Sequence, residues 1–148
     1  MRTLLGDFHR DLITLAPDAG GAQGRHPDFD CVIAYDGEEA VAFAYGAPGT
    51  PGREWWREHL AEVPEKHRTF SYSELAVRTA YRKTGTAELV TRALLDGRDE
   101  DLVQLLVDTE HPRVQVLYEG WGLRKVGERQ PFADSPVYAV MIAELPLS

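Results

Sequence analysis

A strand, a helix and a second strand follow one another in the middle of the chain, and this pattern limits the fold more than any other feature. Residues 69–77 alternate like a β-strand, and residues 102–107 form the continuous apolar run of a strand buried on both faces. Between them, residues 86–96 place their apolar side chains on one helix face. The pattern predicts a βαβ unit with parallel strands. Its turn over residues 78–85 then lies at the carboxyl end of the first strand, where ligands bind in such folds.

Further strands and helices are predicted on the N-terminal side of this unit. Residues 31–35 and 40–45 are runs of β-branched, aromatic and small apolar residues around an Asp-Gly turn, which predicts an antiparallel hairpin. Residues 56–63 carry one apolar stripe before a proline, which predicts a short helix over the sheet. Leucines at helical spacing predict another helix over residues 1–15, and a loop over residues 17–30 follows it.

The last third of the chain predicts a helix followed by two strands. Pro112 suits the first position of a helix that Gly122 ends. The apolar positions of this helix recur at i, i+3, i+4 and i+7: Val114, Leu117, Tyr118 and Trp121. Residues 123–127 and 137–145 are predicted to be the closing strands. This order of elements predicts an α/β protein with one mixed sheet flanked by helices, in a single domain over residues 1–148.

Charge, hydropathy and cysteine content argue against several classes of function. The formal net charge of -8, with no extended basic stripe, argues against a nucleic-acid partner. No run approaches the roughly 18 apolar residues of a membrane span, and charged residues interrupt the first apolar positions, so neither a membrane nor a secretion signal is expected. Cys31 is the only cysteine, and the histidines lack metal-ligand spacing, so we expect no metal. A single thiol fits the reducing cytoplasm.

The turn between the first strand and the helix of the βαβ unit is basic, although the protein is acidic. Arg78, Arg82 and Lys83 lie in it, and residues 75–87 contain no acidic residue. The free N–H groups and the dipole at the start of a helix attract phosphate oxygens, and Gly85 would let a phosphate approach the backbone. The turn therefore predicts a site for a polyanionic ligand. An ordinary exposed basic loop is the alternative.

Two motifs in this part of the chain resemble those of the GNAT superfamily of acetyl-CoA-dependent N-acetyltransferases. Arg82-x-x-Gly85-x-Ala87, directly after a strand, resembles the family's pyrophosphate-binding motif, Gln/Arg-x-x-Gly-x-Gly/Ala. Downstream, residues 117–123 are similar to the second motif, an aromatic-acid pair on a helix followed by a glycine and a strand. Dinucleotide-binding and P-loop fingerprints are both absent from the sequence.

The resemblance implies a GNAT-like acyl-CoA N-acyltransferase fold and acetyl-CoA as the co-substrate, without a metal. It implies the transfer of an acetyl group to a primary amine. A small-molecule acceptor is favoured, and a protein lysine or N-terminus is the alternative. A non-catalytic acyl-CoA-binding or interaction module is the alternative to an enzyme.

The resemblance also implies which residues hold the co-substrate. Pantetheine would lie against Leu75, Ala76 and Val77, pairing with the strand backbone as an added strand would. With Arg82 beside them, the main-chain N–H groups of one continuous run would hold the pyrophosphate: Lys83, Thr84, Gly85, Thr86, Ala87 and Glu88. His111 stands where the family often has an asparagine that contacts coenzyme A, so this contact would be weaker.

Two catalytic residues are implied, each with an alternative. Tyr118 matches the family's tyrosine that protonates the coenzyme A sulfur, and the alternative is that it only packs. Glu74 would accept the amine proton, directly or through water, and the alternative is a solvated or salt-bridged glutamate.

One departure concerns the front of the chain. The family usually begins with a strand, whereas this chain is predicted to begin with a helix. The substrate-side edge of the sheet would then be open, or completed by a second subunit in a homodimer.

Overall fold

The computed structural model describes residues 8–11, by their backbone alone, and residues 29–147. The chain divides into two compact units. Every strand and helix lies within one unit, except for two strands that have residues in both. The first unit comprises Met1–Ala47 and Tyr72–Arg98, and the second comprises Pro48–Ser71 and Asp99–Ser148. In the part of the chain that is described, no helix is long and apolar enough to cross a membrane.

The first unit is built from antiparallel strands and one helix. Its elements are β1 (Phe8–Asp11), β2 (Asp30–Asp36), β3 (Glu39–Pro48, up to residue 47), β4 (Thr69–Val77, from residue 72) and α1 (Thr86–Asp96). β2 pairs antiparallel with β3, so the predicted hairpin is confirmed, and Gly37 turns it with a φ of +65°. α1 packs its buried side against the sheet through Val90 and Leu94, and the predicted helix over residues 86–96 is confirmed.

The front of the chain differs from the prediction. Residues 8–11 form β1, which pairs antiparallel with β2 from Asp11↔Cys31 to Phe8↔Ala34. The predicted helix over residues 1–15 is therefore wrong at these positions, and its other residues lie outside the described part of the chain. The expectation that a first strand is missing is also wrong. Pairing with β2 satisfies the backbone groups of a short segment, and this long-range pairing is not encoded in the local spacing of leucines.

The second unit contains the parallel part of the sheet. Its elements are the first three residues of β4, then β5 (Leu102–Asp108), α2 (Pro112–Gly120), β6 (Arg124–Arg129) and β7 (Tyr138–Glu144). β4 pairs parallel with β5, while β5 pairs antiparallel with β7 and β7 antiparallel with β6. The sheet of this unit is therefore mixed, and the parallel strands of the predicted βαβ unit are confirmed.

The structure differs from the prediction at two apolar faces of the second unit. Residues 56–59 form turns, with His59 N–H donating to the Trp56 carbonyl at 2.9 Å, and residues 60–63 are irregular, so the predicted helix there is wrong. Trp56 is nevertheless buried against Leu102 and Ile142, because its indole N–H donates to Thr69 Oγ1 at 3.0 Å and fixes the segment on the sheet. α2 forms as predicted, but Val114 and Leu117 are exposed and only Tyr118 of the helix is buried.

Gln104 is a buried amide that joins three segments of the second unit. Its side-chain nitrogen donates to Ser71 Oγ at 2.9 Å, and its carbonyl oxygen accepts from the Trp55 main-chain N–H at 2.8 Å. A Cβ on Gly49 would lie 3.1 Å from both Gln104 Nε2 and Ser71 Oγ, so the chain passes close to this amide. The amide therefore fixes how the loop after β3 meets β4 and β5.

Replacing Gln104 by leucine is expected to lower the free energy of unfolding by about 2–4 kcal/mol, because it leaves the Ser71 hydroxyl and the Trp55 N–H without their partner. Urea denaturation of both proteins measures the difference. Gln115→Leu on α2 is the matched control, since this side chain is only half-buried, and its effect should stay within about 0.5 kcal/mol. Equal stability of the Gln104 variant and the wild type would show that the amide is not structurally important.

Candidate active site

The chain reverses sharply between β4 and α1, within the first unit. Thr79–Tyr81 forms a single 3-10 turn, after which Lys83 and Gly85 have φ angles of +60° and +87°. Tyr81 is buried, and its hydroxyl donates to Asp36 Oδ2. Thr84 Oγ1 donates to the Tyr81 carbonyl. These contacts fix the backbone of the corner, so residue 85 must have a positive φ. A residue with a side chain adopts this φ only at a cost in free energy.

The main-chain N–H groups of this corner stand at the start of α1, where a helix leaves its first donors without partners in the helix. Leu89 N–H donates to the Gly85 carbonyl at 3.1 Å and begins the α1 ladder. Among the described residues, no main-chain carbonyl accepts from the N–H groups of residues 83–88, and Gly85 provides no side-chain cap. A Cβ on Gly85 would meet no atom within 4 Å. The corner thus offers open space beside helix-start donors, which fits a diphosphate.

One of the three basic side chains of the corner is bound to a neighbouring strand. The Arg78 guanidinium donates to the Ala40 carbonyl at 2.7 Å, so this residue is held against β3. The Arg82 guanidinium donates weakly, at 3.4 Å, to the Val77 carbonyl. Glu88, in the first turn of α1, pairs with Arg92 at 2.8 Å. Arg82 and exposed Lys83 are therefore the cations closest in sequence to the N–H groups of the corner.

The carboxyl end of β4 carries the predicted catalytic glutamate. Glu74 is exposed, and its Oε2 accepts a hydrogen bond of 2.6 Å from the Tyr45 hydroxyl. Burial raises the pKa of Tyr45 far above its ordinary value, and the hydrogen bond to Glu74 raises it further. Tyr45 therefore stays protonated and donates throughout the neutral range. Leu75, Ala76 and Val77 follow, all half-buried.

Sequence reasoning did not identify Tyr45, because its partner is 29 residues away. Only the pairing of β3 with β4 brings the two side chains together, and no local pattern encodes that register. The Arg78 N–H donates to the Val41 carbonyl and the Gly49 N–H donates to the Thr69 carbonyl, both at 2.8 Å, and the opposite order of these two contacts along the chain is that of antiparallel strands. Glu74 is exposed, as the solvated alternative has it, and it also accepts this hydrogen bond from a buried tyrosine.

The second unit holds the other two predicted site residues. Tyr118 on α2 is 8% exposed, and its ring packs edge-to-face on Trp121 with centroids 5.3 Å apart. His111 is exposed at the N-cap of α2, and its side chain makes no capping hydrogen bond. The first unit thus contains Glu74, residues 75–77 and residues 82–88, while Tyr118 and His111 belong to the second.

No protein-family model matches the chain. The chain is similar in sequence to the GCN5-like protein acetyltransferase Rv2170 of Mycobacterium tuberculosis, with 32% identity over 123 residues that cover 72% of this chain. It spans 59% of the length of that relative.

Solved structures share the fold at lower sequence identity. A GNAT-family protein from Desulfovibrio desulfuricans matches with a TM-score of 0.67 and 13% identity, covering 93% of this chain and 98% of its own. Arabidopsis thaliana NAA60, solved with acetyl-CoA, matches with a TM-score of 0.64 and 18% identity, covering 81% and 78%. The chain therefore has the GNAT acyltransferase fold. Together with the sequence relative, this confirms the predicted resemblance to the GNAT superfamily.

Proposed function

We propose that the chain is an N-acetyltransferase that transfers the acetyl group of acetyl-CoA to a primary amine. The observation that carries the proposal is the corner between β4 and α1, where no main-chain carbonyl of the described residues accepts from the N–H groups of residues 83–88 and a Cβ on Gly85 would meet no atom within 4 Å. Such a corner suits a diphosphate, which coenzyme A carries. The GNAT fold and the acetyltransferase relative support the same function.

Acetyl-CoA would bind at both ends of this corner. The N–H groups of residues 83–88 hold the diphosphate, with Arg82 and Lys83 as the nearest cations in sequence. Pantetheine pairs with the backbone of residues 75–77, where a main-chain N–H stabilises the oxyanion that forms when the thioester is attacked. His111, at the start of α2, is proposed as a further coenzyme A contact.

The chemistry needs one group to accept a proton and one to donate a proton. The acceptor amine must be deprotonated before its nitrogen attacks the acetyl carbonyl, and Glu74 takes that proton directly or through water. As the carbon–sulfur bond breaks, Tyr118 donates its proton to the leaving thiolate. A tyrosine of pKa about 10 is a suitable acid for a thiolate whose conjugate thiol has a pKa of about 8.5.

The proposal has two candidates for the acceptor of the acetyl group. A small molecule remains the first candidate. A protein lysine or N-terminus is the second, because the sequence relative is a protein acetyltransferase. If the chain binds coenzyme A but transfers no acetyl group, it is a binding module that has kept the fold.

The direct test measures thiol release from acetyl-CoA over a panel of small amines, peptide lysines and peptide N-termini, next to calorimetric titration with coenzyme A. The proposal predicts coenzyme A binding and thiol release that depends on the amine. Binding without release with any amine would support the binding module. Absence of binding would contradict both functions.

The proposal also covers the domain organisation, the location and the subunit number. Residues 1–148 act as one acetyltransferase domain, and the single cysteine, which is buried, fits the cytoplasm. A homodimer would complete the sheet if the first strand were missing, and β1 supplies that strand. We therefore propose no second subunit at that edge.

A further inference from the structure

A cavity of about 670 Å³ lies on one face of the first unit, beside the end of β4. The register Cys31↔Tyr45 and Ile33↔Phe43 places these four side chains on the same face of the β2–β3 hairpin, and all four line the cavity. The volume is within the range of about 300–1,000 Å³ that small-molecule sites have. The cavity is open on one side and has room for a small organic molecule.

The cavity is apolar in its depth and charged at its mouth. The rings of Phe43 and Tyr45 are nearly parallel, 15° apart in plane and 6.1 Å between centroids, and Cys31 lies buried next to them. Among the described residues, Glu74 is the one acidic side chain of the lining, and it is exposed. A ligand that fits both features has an apolar body and a single cationic end.

The mouth of the cavity coincides with the strand proposed to hold pantetheine. Ala76 and Val77 line the cavity together with Glu74. Arg78 is the other charged residue that the described part of the chain contributes to the lining, and its guanidinium is bound to the Ala40 carbonyl. The cation-binding group and the proposed acetyl-transfer strand therefore meet at one place in the first unit.

We propose that this cavity is the acceptor site and that its substrate is a primary amine on a single apolar body, aromatic or aliphatic. The proposal rests on the acetyltransferase function above and specifies its acceptor. The apolar body occupies the space beside Ile33 and Phe43, while the ammonium group meets Glu74. The Tyr45 hydroxyl holds Oε2 of that carboxylate, so Tyr45 is a positioning residue that leaves Oε1 for the ammonium. Polyamines fit poorly, because the apolar lining would strip water from their second charge without pairing it.

The test compares steady-state kinetics of the full chain with 2-phenylethylamine, hexylamine and spermidine, in the wild type and in the variants Phe43→Ala and Ile33→Ala. We expect the two apolar amines to have a kcat/KM at least tenfold above that of spermidine. Each variant should raise the KM for 2-phenylethylamine about tenfold, because each removes apolar contact area. The Kd for coenzyme A should stay unchanged. Val63→Ala, at an exposed valine outside the cavity, is the control and should change neither constant.

The outcomes separate this inference from the general function. Equal KM values in the wild type and both cavity variants, or a preference for spermidine, would overturn the acceptor site while acetyl transfer stands. If the wild type acetylates no amine, the general function fails instead. The cavity is then tested alone by adding 2-phenylethylamine and following amide NMR shifts. Shifts centred on residues 31–33 and 43–45 would support an amine site, and their absence would overturn it.

Discussion

Replacing Gly85 by alanine is expected to weaken coenzyme A binding at least tenfold. At the φ of +87° that Gly85 adopts, a Cβ points into the open space where the diphosphate would lie. The methyl group therefore keeps phosphate oxygens away from the N–H donors, and the loss of a single good hydrogen bond to a charged group already costs about 1.5–3 kcal/mol. Since 1.4 kcal/mol is a factor of ten in affinity, calorimetric titration with coenzyme A will detect the change.

Gly52→Ala is a closely matched control for this experiment. Gly52 has a φ of +85°, and a Cβ there also meets no atom within 4 Å. Both variants should lose about 1–2 kcal/mol of stability from the left-handed backbone. Only the Gly85 variant should lose affinity for coenzyme A. Parallel losses of affinity in the two variants would mean that general destabilisation, and not the corner, controls binding.

Replacing Tyr118 by phenylalanine is expected to lower kcat about a hundredfold, the low end of what a positioned general acid contributes. The variant keeps the aromatic ring that packs on Trp121, so the helix should stay in place. The Kd for coenzyme A should change little, because the hydroxyl acts on the departing sulfur. Thiol release at saturating acetyl-CoA and amine, together with calorimetry, measures both constants.

Tyr138→Phe serves as the control for the loss of a hydroxyl, because this half-buried tyrosine of β7 has no role in the proposed chemistry. Its kcat should match that of the wild type. If Tyr118→Phe also retains the wild-type kcat, Tyr118 is a packing residue and the leaving thiolate takes its proton from another donor.

Local sequence patterns predicted those elements whose signals are complete within a few residues. The Asp-Gly turn between β2 and β3, the helical spacing of residues 86–96 and the apolar run of β5 each determine their own conformation. The corner at Gly85 was predictable for the same reason, because a glycine between a strand and a helix is a local signal for a left-handed backbone. The fold class and the position of the candidate site followed from these elements.

Features that depend on distant partners were not predictable. Whether residues 8–11 form a helix or a strand is decided by the free edge of β2, which local leucine spacing does not reveal. Residues 56–63 have a helical apolar stripe, yet they form turns and irregular chain, and the hydrogen bond from Trp56 to Thr69 holds the segment on the sheet. The contact between Tyr45 and Glu74 depends on the register of two strands.

The central claim is that main-chain N–H groups of residues 83–88 bind the diphosphate of coenzyme A. Amide NMR spectra of the protein, recorded with coenzyme A and separately with pantetheine, test it most directly. The account predicts that the amides of residues 83–88 show the largest shifts with coenzyme A and small shifts with pantetheine, which lacks the diphosphate. Unchanged amides at residues 83–88 in the presence of saturating coenzyme A would contradict it.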